Sequence, residues 1–254
     1  MFKKLRVGVL LVVLFFVSGK TYLQQFNARD WNEPLHVMIY PVNGDQRPST
    51  ARYIEKLTTD DFVPINHFMQ AQAVNYGIRD LQPVQVELGP VVGNSPPEPP
   101  LEASVLNTIA FSLQLRLWGA LNESDARPGD IRIFVVYQDP EFTDSVPHSL
   151  ALKKGLLGLV YGYADETLTG TNNFVITHEM LHTLGATDKY DPGTNMPLYP
   201  QGFASPYLPD RYAQTKAEIM GGRIPQSPTL AAIPDSLNDA MIGSYTALEI
   251  NWFR

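Results

Sequence analysis

Along the chain, short stretches with every second position apolar trade places with longer ones patterned at helical spacing. "LHVMIYPV" (residues 35–42) and "PVQVELGPVV" (83–92) alternate and are rich in β-branched side chains, so each predicts a strand. "DIRIFVVYQ" (130–138) and the glycine-spaced "GLLGLVYGYA" (155–164) are more continuously apolar and predict buried strands. Helical spacing appears in "STARYIEKL" (49–57), with Ser49 or Thr50 as N-cap, and in residues 61–77, starting near Pro64 and ending at Gly77. The clearest helix is "SVLNTIAFSLQLRLWGAL" (104–121), with a capping serine and no breaker before Gly119. A further helix of about a dozen residues begins near Asn172 or Asn173, and "LNDAMIGSYTALEINW" (237–252) predicts a closing one. A proline-rich connector covers residues 94–102. From Asp191 to Ser236 regular signals vanish and prolines recur; so long an irregular stretch in a compact domain usually serves a site. Strands alternating with helices predict an α/β or α+β layered fold, with no internal repeat.

The first residues break this pattern. "MFKKLRVGVLLVVLFFVSGK" is a basic start followed by an apolar run of signal-peptide length. Residues 1–19 therefore predict a signal peptide or an N-terminal membrane anchor, with residues 35–254 as one folded body outside the cytoplasm, in the periplasm or cell envelope or secreted. The chain has 254 residues, 44% hydrophobic and 18% charged, enough for one domain with a core of its own. Formal charge is −7, which argues against nucleic acid as a partner and suits a cation. Cysteine is absent, so no disulfide and no thiolate metal site can form. A transition metal would have to be held by His, Asp or Glu.

"THEMLHTLGATDKYD" (177–191) supplies such residues. Side chains four apart share a helix face, so His178 and His182 can turn their rings toward one ion, with Glu179 beside them to reach a water. Gly185 falls where the helix must stop and the chain turn back, and glycine tolerates the positive φ that this needs. Asp188 then falls where the returning loop can offer an oxygen. Asp191 and Glu218 are alternative third donors; Asp191 before Pro192 also suits a turn, and Glu218 a solvent-facing or amide-capping role. His36, His67 and His148 have no partner at ligand spacing and read as surface or hydrogen-bonded residues.

"HEMLHTLGATD" resembles the metzincin metalloprotease pattern with aspartate as third ligand, and is most similar to snapalysin-like bacterial enzymes, which also carry a tyrosine at the position of Tyr190. "AEIMGGRIP" resembles the methionine turn of that family, through Met220. The resemblance spans about residues 173–225. It implies a zincin-like fold with a twisted mixed sheet, and Zn2+ held by His178, His182 and Asp188. It also implies Glu179 as general base and Met220 as a structural floor. Tyr190 is the oxyanion candidate; Gly221, Gly222 and Arg223 follow the methionine where some relatives place a tyrosine, and Arg223 is the other candidate. The implied activity is zinc-dependent hydrolysis of a peptide or protein substrate. An amidase acting on cell-wall peptides would use the same site, and a metal-bearing binding or assembly protein would keep the fold without turnover.

Overall fold

The computed structural model describes residues 26–78, 82–100, 104–124, 129–153 and 155–253. The leader (1–19) lies outside them. Its centre is a five-stranded sheet ordered β2-β1-β3-β5-β4. The strands are β1 (Leu35–Asn43), β2 (Val84–Leu88), β3 (Ile131–Gln138), β4 (Leu150–Leu152) and β5 (Leu157–Tyr163). All neighbours run parallel except β4, which pairs antiparallel with β5 at the edge.

Both faces of the sheet are covered, which explains why β1 and β3 are apolar at nearly every position. Val37, Ile39, Ile133 and Val135 point into the larger core. That core is closed by α1 (Pro48–Lys56), α2 (Val63–Asn75), α4 (Thr169–Leu184) and α5 (Ser244–Glu249). Met38, Tyr40, Phe134 and Leu159 point the other way, against Leu115 of α3 (Val105–Leu121). The fold is therefore mixed α/β, with a mixed sheet and five α-helices among the described residues.

The long stretch after Asp191 is largely irregular, as its composition predicts. It carries the two-residue strands β6 (Ala217–Glu218), β7 (Ile224–Pro225) and β8 (Ala231–Ala232) and one 3-10 turn at Ile219–Gly221. Three helix boundaries differ from the sequence reading, two because polar side chains bond elsewhere and one because the chain forms a strand. Ser49 and Thr50 do not cap α1; their hydroxyls bond Asp139 and Asp45, and the helix starts at Pro48. Asn172 and Asn173 do not start α4, because their amides reach across to the backbone carbonyls of Tyr163 and Asp61. Asp165 instead accepts from the Thr167 amide at 2.8 Å, and the turn it nucleates runs into α4 three residues earlier than expected. The closing helix shrinks to α5, since Ala240–Met241 forms β9 beside β6. Strand β4 is too short for a periodicity signal and was not expected.

Candidate metal centre

Helix α4 is buried along most of its length and packs on β5 and β3. It ends as the sequence requires. Gly185 takes φ 107°, and its amide returns to the carbonyls of His182 and Leu181. The reversal brings Asp188 back over the last turn. Oδ1 of Asp188 then lies 3.2 Å from Nε2 of His178 and 3.0 Å from Nε2 of His182, and the two Nε2 atoms are 3.1 Å apart.

The other ring nitrogens fix the chemistry of this triangle. Nδ1 of His178 is 2.8 Å from the Ile219 carbonyl, and Nδ1 of His182 is 2.8 Å from the Ala186 carbonyl. A carbonyl oxygen can only accept, so both Nδ1 atoms carry the hydrogen, and in the neutral rings both Nε2 lone pairs face Asp188. Three acceptors converging on one point repel unless a cation lies between them. Atoms about 2.0–2.1 Å from a tetrahedral zinc are about 3.3 Å apart, close to these three edges. A ring nitrogen donated to a carbonyl is also the usual outer support of a metal-binding histidine.

Electrostatics point the same way. Burial works against protonation of His178, but Asp188, Glu179 and the Ile219 carbonyl outweigh it and lift its pKa. Burial alone would raise Asp188; the two histidines overcome it and hold this carboxyl far below the usual range. The Asp188 carboxylate thus sets a negative charge against the two rings.

Glu179 is the next residue outward. Its carboxylate oxygen and the two histidine nitrogens fall within 4.8 Å of one another. The triangle with Asp188 is the tighter of the two, at 3.0–3.2 Å. Burial raises the Glu179 pKa, against the pull of both histidines. Its Oε2 is buried and has no hydrogen-bond partner among the described residues. Buried polar oxygens nearly always have one, so this atom has room for a further donor. β5 runs directly behind: a methyl added at Gly158 would lie 3.8 Å from Cβ of Glu179.

Tyr190 packs its ring 6.2 Å from that of His178. Its hydroxyl is pushed up to about 12, by burial first and then by Asp188 and Glu179, with Arg223 opposing. Met220 is fully buried, and its carbonyl accepts the Lys189 amide at 2.8 Å, tying the turn to the Asp188 loop. Gly202 is sandwiched there: a Cβ on it would fall 2.1 Å from the Lys189 carbonyl oxygen.

The alternative third donors do other work. Asp191 accepts from the amides of Gly193 and Thr194 and closes a turn. Glu218 is buried beneath the methionine turn. Its Oε2 accepts the Met220 and Gly221 amides at 2.8 and 3.0 Å, and its Oε1 accepts the Gly243 amide at 3.0 Å and the Thr246 hydroxyl at 2.6 Å. Of its two suggested roles, amide capping is the one observed. His36, His67 and His148 are exposed and outside the cluster. His67 borders a cavity of about 540 Å³ at the start of α4, whose lining includes none of the site residues.

One device left no local signal in the sequence. The Glu249 carboxylate accepts the Thr187 amide at 3.0 Å, the Thr187 hydroxyl at 2.6 Å and Nζ of buried Lys189 at 2.7 Å. It grips the two residues flanking Asp188 from 60 positions away.

No known family model matches the chain, and no curated protein matches it.

Proposed function

We propose that the chain is a zinc-dependent peptide hydrolase of metzincin type. The observation that carries this reading is the 3.0–3.2 Å triangle of two imidazole lone pairs and one carboxylate, with an unpartnered buried glutamate oxygen beside it. His178, His182 and Asp188 would hold the metal. A zinc ion there would supply Lewis-acid polarisation of a carbonyl and a water acidified toward neutral pH.

The rest belongs to the protein. Glu179 takes a proton from the attacking water and delivers it to the leaving amine nitrogen; its raised pKa suits both transfers. Tyr190, protonated at any physiological pH, donates its hydroxyl to the oxygen on which charge develops. Edge strand β4 orients the substrate. Ala151 pairs with Gly158, whose α-carbon faces Glu179, and no described strand pairs with the outer edge of β4. An extended peptide added there runs past the metal centre with its backbone hydrogen-bonded.

A binding protein without turnover has no use for an unpartnered buried carboxylate oxygen. The test compares zinc-loaded wild type with Glu179→Gln on a peptide library. The variant keeps its zinc and loses about 10²–10⁴-fold in rate. Unchanged cleavage by Glu179→Gln refutes the mechanism. A wild-type protein that takes up no zinc refutes the metal assignment.

A further inference from the structure

Helix α5 is six residues long, too short to hold its own shape, and Glu249 is its last residue. The Glu249 carboxylate grips the residues on both sides of Asp188, so the metal-binding loop is placed only as well as this helix end is placed. A helix end leaves carbonyls without partners inside the helix. Here they are taken by residues about 220 positions away. The Arg29 guanidinium donates to the Glu249 carbonyl, and the Trp31 indole nitrogen donates to the Ile250 carbonyl at 2.8 Å. The Asn251 side-chain amide donates in return to the Arg29 carbonyl at 2.8 Å.

This contact is built into the core. Ala28 and Trp31 are buried, and the Trp31 ring stands edge-on to fully buried Trp252, with centroids 5.6 Å apart. Trp31 takes φ 53° and Asn251 takes φ 66°. Residues with a β-carbon rarely adopt left-handed backbone, and they keep it only where their surroundings over-determine it. The same helix end also meets the metal helix: a β-carbon on Gly185 would lie 3.7 Å from the Glu249 carbonyl oxygen, the one that Arg29 holds.

We propose that residues 26–31 form a strap that sets the metal-binding loop, with Arg29 and Trp31 as positioning residues acting through Glu249 on Asp188. The path is short and continuous. Arg29 and Trp31 fix the backbone of Glu249 and Ile250. The Glu249 carboxylate fixes Thr187 and Lys189, and Asp188 between them meets His178 and His182. Lifting the strap leaves α5 tied to the core through the Thr246 hydroxyl and Glu218, but frees its last turn. The metal-binding loop therefore answers to whatever engages residues 26–31. The strap's effect on zinc rests on the metal assignment proposed above; its effect on the loop does not.

In the full chain, Arg29→Met combined with Trp31→Phe keeps the apolar bulk of both side chains and removes both donors. Val86→Ala, in the same core but on β2 at the far edge of the sheet, is the reference for general destabilisation. Hydrogen exchange of the zinc-free proteins is followed by mass spectrometry over residues 186–190, where the Thr187 amide reports the Glu249 grip directly. Zinc affinity is measured by competition with a chromophoric chelator. The strap variant exchanges several-fold faster over 186–190 and its zinc affinity falls about tenfold, the low end of what losing an outer support costs, while Val86→Ala changes neither. Trp31→Phe alone, which gives up one hydrogen bond, moves both readouts the same way by less and replaces the double variant if that does not fold. Unchanged exchange in the strap variant overturns the inference. So does the same loosening in Val86→Ala, or a zinc affinity equal to that of wild type. A wild type that takes up no zinc removes the metal assignment instead, and exchange over 186–190 then decides on the strap by itself.

Discussion

Glu218→Gln isolates what holds the floor of the metal centre. The carboxylate accepts from three backbone amides and one hydroxyl, with no exposure to water. Burial is the largest influence on it and raises its pKa, against Thr246, Gly243 and Lys189. Even the neutral acid satisfies every neighbour. Oε2 still accepts from Met220 and Gly221, while the protonated Oε1 accepts from Gly243 and donates to Thr246. Glutamine cannot do this. Its nitrogen accepts nothing, so wherever the amide group points, at least one backbone N–H faces another N–H. The least costly choice keeps the oxygen on the Met220 side, lets the Thr246 hydroxyl rotate to accept, and orphans the Gly243 amide. One lost bond of about 1 kcal/mol plus one buried unsatisfied donor of about 1–3 kcal/mol gives roughly 2–3 kcal/mol of lost stability.

The sign of the pH dependence follows from the raised pKa. The advantage of glutamate over glutamine is fully present below the unfolded value of about 4.5 and declines as pH rises through the folded one. Urea unfolding of both proteins, followed by tryptophan fluorescence from pH 4 to pH 8, measures this. The Ile219 carbonyl that orients His178 lies in the same turn, so zinc affinity falls about 10–100-fold in the variant. A stability difference within about 0.5 kcal/mol across the range would refute the amide-acceptor role. A difference that widens with rising pH would refute the direction of the pKa.

Asp188→Ala removes one corner of the triangle from a half-exposed position, so equilibrium dialysis finds zinc affinity down at least about 100-fold with the melting temperature of the metal-free protein little changed. Glu249→Gln weakens the grip on Thr187 and Lys189 and costs about 1.5–3 kcal/mol in denaturant unfolding at neutral pH. Burial would raise the Glu249 pKa, but Lys189 and Thr187 depress it; its contribution is present above about pH 4.5 and lost as pH falls through the folded value, so wild type and variant converge in acid. Gly185→Ala forces a β-carbon into left-handed backbone at φ 107° and costs about 1–2 kcal/mol by calorimetry; an unchanged melting temperature would mean the helix can end without that turn.

What could be read from the sequence was whatever the backbone period alone decides. Two histidines four apart share a helix face whatever surrounds them, and a glycine three residues on can end that helix only by turning left-handed, so His178, His182 and Asp188 were legible as a converging set. The support beneath them was not. Glu218 was legible only as a local amide cap, the role it plays on Met220 and Gly221; its bonds to Gly243 and Thr246, and those of Glu249 to Thr187 and Lys189, span 25 to 62 positions, and no periodicity encodes such a distance. The same reasoning explains why the capping signals at Ser49 and Asn173 misled. A hydroxyl or amide bonds whichever backbone or carboxylate the fold brings near, and here tertiary neighbours outcompeted the helix's own first turn. Helix α3 is the converse case. Its spacing, capping serine and lack of breakers predict the helix, but a helix lying on one face of a sheet has only one side to bury. Among the described residues its other side leaves Leu106, Ile109, Leu113, Leu117 and Leu121 exposed, a difference that helical spacing alone does not reveal.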